Sequence, residues 1–156
     1  MELKLFPKHT GIWEGTYTRL NAKGEVIDKH RSRLTLKLDG NKWSQKNEYM
    51  WDNGKKEVHD FGVSTFDENG YLTFDNPRIK GKSWEADEVI NLWWTYNEEP
   101  GTKLFEIITL IEDGHRMRTW QHSRSGKFEG LTMIEERQVA KQEEIEDFLA
   151  KEAQTA

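Results

Sequence analysis

Residues 42–51 read Lys-Trp-Ser-Gln-Lys-Asn-Glu-Tyr-Met-Trp. On a β-strand, side chains alternate between two faces. One face carries Trp43, Gln45, Asn47, Tyr49 and Trp51, and the other carries Lys42, Ser44, Lys46, Glu48 and Met50. The first set is the inner one. Inward amides are unusual, because a buried amide without a partner costs about 1–3 kcal/mol. They mark either a wall that meets a ligand or a polar network tying strands together. A second chemical stretch, 115–123, alternates Arg116, Arg118, Trp120 and His122 with His115, Met117, Thr119 and Gln121. Gln45, Asn47, Tyr49, Trp51, Trp94, Arg118, Trp120 and His122 on one cavity wall would suit an apolar ligand with one carboxylate or carbonyl. Glu106 stands alone in the apolar run 103–111. Desolvated, it would be a general base with a raised pKa. Paired with Arg118, it would compete with a ligand's carboxylate. His122 is the other candidate for moving a proton.

Other chemistries find no support. The histidines are His9, His30, His59, His115 and His122, and none is spaced as a metal-binding pair. No metal or other cofactor is expected. Glu98-Glu99, Glu135-Glu136 and Glu143-Glu144 are adjacent pairs whose side chains diverge on a strand, so they are not acid–base dyads. Ser123-Arg-Ser-Gly126 reads as a hairpin turn and lacks the strand–elbow–helix setting of a hydrolase nucleophile. Glycine-rich phosphate loops are absent. Cysteine is absent too, which excludes disulfides and thiolate catalysis. With 23 basic against 28 acidic residues the chain lacks the cationic excess of a general nucleic-acid binder. No apolar run reaches the roughly 18 residues of a membrane span. Residues 1–8 lack the apolar core of a signal peptide. A cytoplasmic protein is expected.

The elements that must position these groups are short strands between turns. Asn21-Ala-Lys-Gly24, Asp39-Gly-Asn41, Asp52-Asn-Gly54, Asp67-Glu-Asn-Gly70, Glu112-Asp-Gly114 and Ser125-Gly126 each supply a residue tolerant of positive φ. Runs rich in Thr, Ile, Val and aromatics lie between them. Strands are predicted at 11–20, 25–38, 42–51, 56–66, 71–75, 83–88, 89–96, 103–111, 115–123 and 128–138. No connection has room for a crossover helix, which disfavours a parallel sheet. About ten strands in up-and-down order close a small barrel with a cavity and remove the exposed edges. The 18 aromatics among 156 residues are far too many for a disordered chain. One domain, 1–156, is expected: a barrel over about 8–138 and a helix over about 139–153.

Alternation sorts most faces. Leu34, Leu36 and Leu38 point inward, and His30 and Ser32 follow the same parity. Trp94 shares parity with Ile90 and Leu92 and is placed inside; Trp93 is left outside, a hint of a homodimer. Strand 103–111 is apolar on both faces, as a strand beneath the tail helix would be. Parity leaves 115–123 open. A two-residue Asp113-Gly114 turn pairs Glu106 with Gln121; a three-residue Glu112–Gly114 loop pairs Glu106 with Trp120 and Ile108 with Arg118. The second register, with Arg118 and Trp120 inside, is the reading adopted.

Gly11-Ile-Trp-Glu-Gly-Thr-Tyr17 resembles the Gly-x-Trp opening of lipocalins and related calycin barrels. That resemblance implies that Trp13 plugs the barrel floor beneath an arginine near the end of the last strand, for which Arg137 is the match. A wider likeness rests on Trp13-Glu-Gly-Thr-Tyr-Thr-Arg19, Gly24-Glu-Val, Ser32-Arg-Leu-Thr-Leu, Gln45-x-Asn47 and Gly130-Leu-Thr-Met-Ile-Glu-Glu-Arg-Gln-Val139. Over about 8–140 the chain is similar to an uncharacterised calycin-like family, lipocalin- and fatty-acid-binding-protein-like, known mainly from cyanobacteria and plastids. The resemblance implies an all-β, antiparallel, up-and-down lipocalin-like barrel with a C-terminal α-helix, and no settled activity. Neighbouring calycins include fatty-acid carriers, haem-binding barrels and phycobilin lyases. No histidine motif matches the haem barrels. The expected function is non-covalent binding of a small hydrophobic or amphipathic ligand. The alternatives are an isomerase, lyase or chromophore-attachment chaperone using Glu106 or His122, and a subunit-interaction domain with a filled core.

Overall fold

The computed structural model describes residues 2–155. Ten strands follow one another: β1 (Gly11–Leu20), β2 (Val26–Asp39), β3 (Lys42–Met50), β4 (Lys56–Thr65), β5 (Leu72–Asp75), β6 (Ile79–Ala86), β7 (Val89–Tyr96), β8 (Thr102–Glu112), β9 (His115–Arg124) and β10 (Lys127–Ala140). One helix, α1 (Ile145–Thr155), ends the chain. Apart from β4 and β5, sequence neighbours pair antiparallel, and β1 pairs with β10, in the order β4-β3-β2-β1-β10-β9-β8-β7-β6-β5. This is an up-and-down β-barrel with one seam.

The seam lies between β4 and β5, which are the edges of the sheet and meet through a single bridge, Phe66–Leu72. The reason is length. Four-residue β5 offers ten-residue β4 nothing further to pair with. Closure by hydrogen bonds is therefore incomplete, and side chains cover the gap.

Two boundaries differ from the sequence reading by more than two residues. β6 begins at Ile79 rather than 83, because Gly81 is not a turn residue. A Cβ there would lie 2.2 Å from the Trp93 carbonyl oxygen, so Gly81 permits close packing against β7. The helix begins at Ile145 rather than 139, because β10 keeps pairing with β1 as far as Ala140, opposite Ile12.

The core joins Trp13, Leu34, Leu36, Trp43, Phe66, Leu72 and Ile90. Burial of each such side chain is worth about 1.5–3 kcal/mol. Phe6, on a 3-10 turn over Phe6–His9, plugs one end of the barrel, edge-on to Trp43 and Phe66 at 5.4 and 4.7 Å. The Glu85 carboxylate fixes this plug by accepting hydrogen bonds from the backbone N–H groups of Lys4, Leu5 and Phe6.

Helix α1 does not cover β8. Its buried Ile145 packs on Ile12 and Ala140, and Arg33 of β2 donates to both Glu14 and Glu152. The expected two-sided burial of β8 is thus incorrect. Phe105, Ile107 and Ile111 are 50%, 47% and 53% exposed. Tryptophan 93 is half-buried beside Phe105, with Lys103 Nζ 4.7 Å from its ring.

Candidate functional site

The inner face of β3 carries a ladder of hydrogen bonds at every second residue. Trp43 Nε1 donates to Gln45 Oε1 (3.1 Å), Gln45 Nε2 to Asn47 Oδ1 (3.1 Å), and Asn47 Nδ2 to the Tyr49 hydroxyl (2.9 Å). Period-two alternation alone lines these groups up. The ladder answers the amide problem raised by the sequence, since each amide gives and receives within the same strand.

Charged groups are buried beside it. Arg118 donates through Nε to Glu106 (2.6 Å) and through Nη1 to Tyr17 (2.9 Å) and Glu136 (3.1 Å). Arg116 donates through Nε to Glu136 (2.8 Å) and through Nη1 to His9 Nδ1 (3.1 Å). Two guanidiniums therefore face two carboxylates, and the cluster is neutral. Burial opposes ionisation of Glu136, but Arg116 and Arg118 outweigh it and hold the carboxyl below its ordinary range. Burial, with Arg116 beside it, depresses His9 to about 3, so its imidazole is neutral and accepts from Arg116. Pairs of this kind contribute little net stability, yet losing one partner costs about 3–5 kcal/mol.

Two adjoining chambers, here called inner and outer, are lined by the barrel's inward side chains. The inner one, of about 100 Å³, is walled by apolar groups including Leu36, Trp43, Ile90, Trp94 and Ile108, with Gln45, Asn47, Glu106 and Arg118 on its polar side. The outer one, of about 220 Å³, is polar and is lined by Arg19, Asp28, His30, Trp51, Glu57 and His122 among others. Tyr49, Arg78 and Trp120 line both. In the outer chamber Asp28 accepts from His30 Nδ1 (2.7 Å) and Trp51 Nε1 (2.9 Å). His122 Nε2 lies 2.7 Å from Thr132 Oγ1. Burial, then the nearby Arg19, lower His122 to about 4. The Trp120 indole N–H is buried without an acceptor.

Glu106 opposes Trp120 and Ile108 opposes Arg118, the pairing adopted above, but the turn is the two-residue Asp113-Gly114 one, with Glu112 opposite His115, and a bulge between Leu110 and Glu112 supplies the shift. The structure thus brings Gln45, Asn47, Tyr49, Trp94, Arg118 and Trp120 around the inner chamber, and Trp51 and His122 to the outer one. Glu106 is ion-paired rather than free.

Barrel closure needs a correction. Trp13 is fully buried, but the guanidinium over its ring belongs to Arg116, 4.4 Å from the centroid. Arg137 is exposed on the outer face, its nearest carboxylate being Glu135 at 3.9 Å. The reason is alternation: Thr132, Ile134 and Glu136 point inward, so Arg137 points out. Buried Ile134 was signal enough for this. The roles of Arg19, Arg78, Asp28, His9 and Glu136 were also missed. Parity with Trp13 and Tyr17 marks Arg19 as inward. Arg78 lies in the β5–β6 turn, where no periodicity reports direction.

The fold is shared with solved structures of low sequence identity. One is a protein with unknown function from the DUF3598 family of Nostoc punctiforme: 17% identity, TM-score 0.68, covering 89% of this chain and 51% of that one. The present chain thus spans about half that protein's length. Another is an S-type phycobiliprotein lyase from Guillardia theta, at 15% identity and TM-score 0.59, covering 86% of this chain and 90% of that one. A third, from M. tuberculosis, has 12% identity and TM-score 0.59, covering 84% and 93%. Among curated proteins none matches. The up-and-down barrel agrees with the uncharacterised family that the sequence resembles. A family model described as "Domain of unknown function (DUF3598), N-terminal" matches residues 2–141, and the chain belongs to that family.

Proposed function

We propose that the protein binds, without covalent chemistry, a small and largely apolar ligand with a polar or anionic head. The observation that carries this reading is a mainly apolar chamber adjoining one richer in charged and polar side chains, with Tyr49, Trp120 and Arg78 common to both walls. An apolar body in the inner chamber gains about 25 cal/mol for each Å² removed from water. Gln45, Asn47 and Tyr49 orient the ligand through the hydrogen-bonding capacity their ladder leaves over. Trp94 and Trp120, edge-on at 4.9 Å, give it an aromatic wall, while Trp51 and His122 meet the part that projects outward. The inner chamber's volume favours a short chain or a single ring over a long fatty acid.

An enzyme on the same barrel is less well supported. Glu106 is held by Arg118 at 2.6 Å, which makes it a poorer base than a free carboxylate. The likeness to a phycobiliprotein lyase, at 15% identity, is one of fold. Isothermal titration with 1-octanol tests the binding reading. Saturable uptake by the native protein, lost in a Leu36→Trp variant that keeps its fold, supports it. No uptake of octanol or of any screened apolar ligand contradicts it. Glu106→Gln that spares affinity but abolishes a turnover would move the reading to the enzyme.

A further inference from the structure

Most arginines in this chain have a carboxylate partner. Arg33, Arg116, Arg118, Arg124 and Arg137 do; among the described residues Arg19, Arg31 and Arg78 do not. Arg31 has the parity opposite to buried Ser32 and stands on the outer surface. The other two line the outer chamber.

The carboxylates of that chamber are engaged elsewhere. Asp28 stands opposite Arg19 in the β1–β2 register, yet its two oxygens are taken by His30 and Trp51. Glu57 faces Lys55 at 3.3 Å and His59 at 3.4 Å. Arg78 rests against the ring of His59 and lies 5.5 Å from the centre of the Tyr96 ring, contacts that hold a guanidinium without neutralising it. Its backbone is fixed as well. Asn76 Oδ1 accepts from the N–H groups of Arg78 and Ile79, and the Arg78 carbonyl accepts from the Asn97 N–H, each at 2.9 Å. A third spare donor is the buried indole N–H of Trp120, which lines the same chamber. The outer chamber thus has its carboxylates engaged, two guanidiniums without a carboxylate partner and one indole N–H without an acceptor.

We infer that Arg19 and Arg78 form the anion-binding site of the ligand's head, in the outer chamber, and that Arg118 is not the anchor. Arg118 already donates to Glu106, Glu136 and Tyr17, so an incoming anion would have to displace a buried carboxylate there, whereas Arg19 and Arg78 have no carboxylate to give up. A carboxylate or phosphate monoester fits the arginine pair, since both offer planar or clustered oxygens to guanidinium N–H groups. The head stays in the outer chamber while the apolar body passes Tyr49 and Trp120 into the inner one. This assignment presupposes the cavity-binding function proposed above.

Matched probes separate the two ideas. Isothermal titration is run with 1-octanol, octanoate and octyl phosphate. The proteins are the native chain, Arg78→Gln, Arg19→Gln, the double variant, and Arg31→Gln as a control. Circular dichroism confirms that each is folded. The native chain binds octanoate or octyl phosphate about tenfold more tightly than octanol, as one charge-assisted hydrogen bond warrants. The preferred anion identifies the head as carboxylate or phosphate. The preference falls to about twofold in the double variant and stays in Arg31→Gln, whose octanol affinity is also that of the native chain. Equal binding of octanol and both anions by the native chain, or a preference that survives in the double variant, overturns the arginine assignment and leaves cavity binding intact. No binding of any of the three removes cavity binding and the assignment with it.

Discussion

At the residue scale, one side chain decides how the barrel floor is closed. Family position points to Arg137, whereas strand alternation turns that residue outward and gives Trp13 to Arg116. Arg116→Met should lower stability by about 3–5 kcal/mol, because it leaves Glu136 buried with one cation fewer. Arg137→Ala should stay within about 0.5 kcal/mol. Chemical denaturation of the two variants checks both. Titration gives a second prediction. Unfolded histidine protonates near its ordinary 6.5, whereas folded His9 resists to about 3 and folded His122 to about 4. The unfolded state therefore binds these protons first. Stability is intact above 6.5 and falls as pH drops below it, by up to about 1.4 kcal/mol per pH unit for each histidine. Glu136, whose folded pKa is depressed, adds its loss only as pH falls below its ordinary 4.5. Thermal melts from pH 8 to 4 should show Tm declining already near about pH 6, and His9→Gln with His122→Gln should flatten that decline. A Tm constant down to about pH 5 in the native chain contradicts it.

At the element scale, alternation and turn chemistry made most of the barrel legible. Turn residues mark most strand boundaries and parity sets the face of β3, while the register that places Arg118 inside is set by a bulge between Leu110 and Glu112 that alternation does not report. What the sequence could not report was the partner of each face. β8 is apolar on both sides, and alternation does not say which side a distant helix covers. The helix chose β1 and β2, where Ile12 receives Ile145 and Arg33 receives Glu152. Ile107→Thr, on the uncovered face of β8, should therefore change stability by less than about 0.5 kcal/mol. Ile90→Thr, in the core, should cost several times more, and the comparison by denaturation is direct. Arg78 was illegible for another reason. Its aim is set by a turn that Asn76 and Asn97 hold together, and no periodic pattern encodes that.

At the scale of the whole molecule, strand closure creates a hollow, and inward side chains of β1, β2, β3, β9 and β10 give part of it a more polar wall. Ten strands exceed what side chains from a small barrel fill, so space remains inside. Trp13, Phe6 and the paired charges close one end, while β4 and β5 part beyond the Phe66–Leu72 bridge. The sequence implied the enclosure but not its division into two chambers, because that division depends on Tyr49, Arg78 and Trp120, which come from two strands and a turn. Methyl-resolved NMR titration with 1-octanol tests the central claim, that an apolar body enters the inner chamber. Resonances of Leu36, Ile90 and Ile108, which line it, should shift and saturate together, while exposed Ile107 and Ile111 stay unmoved. Shifts confined to Ile107 and Ile111, or none at all, would contradict it.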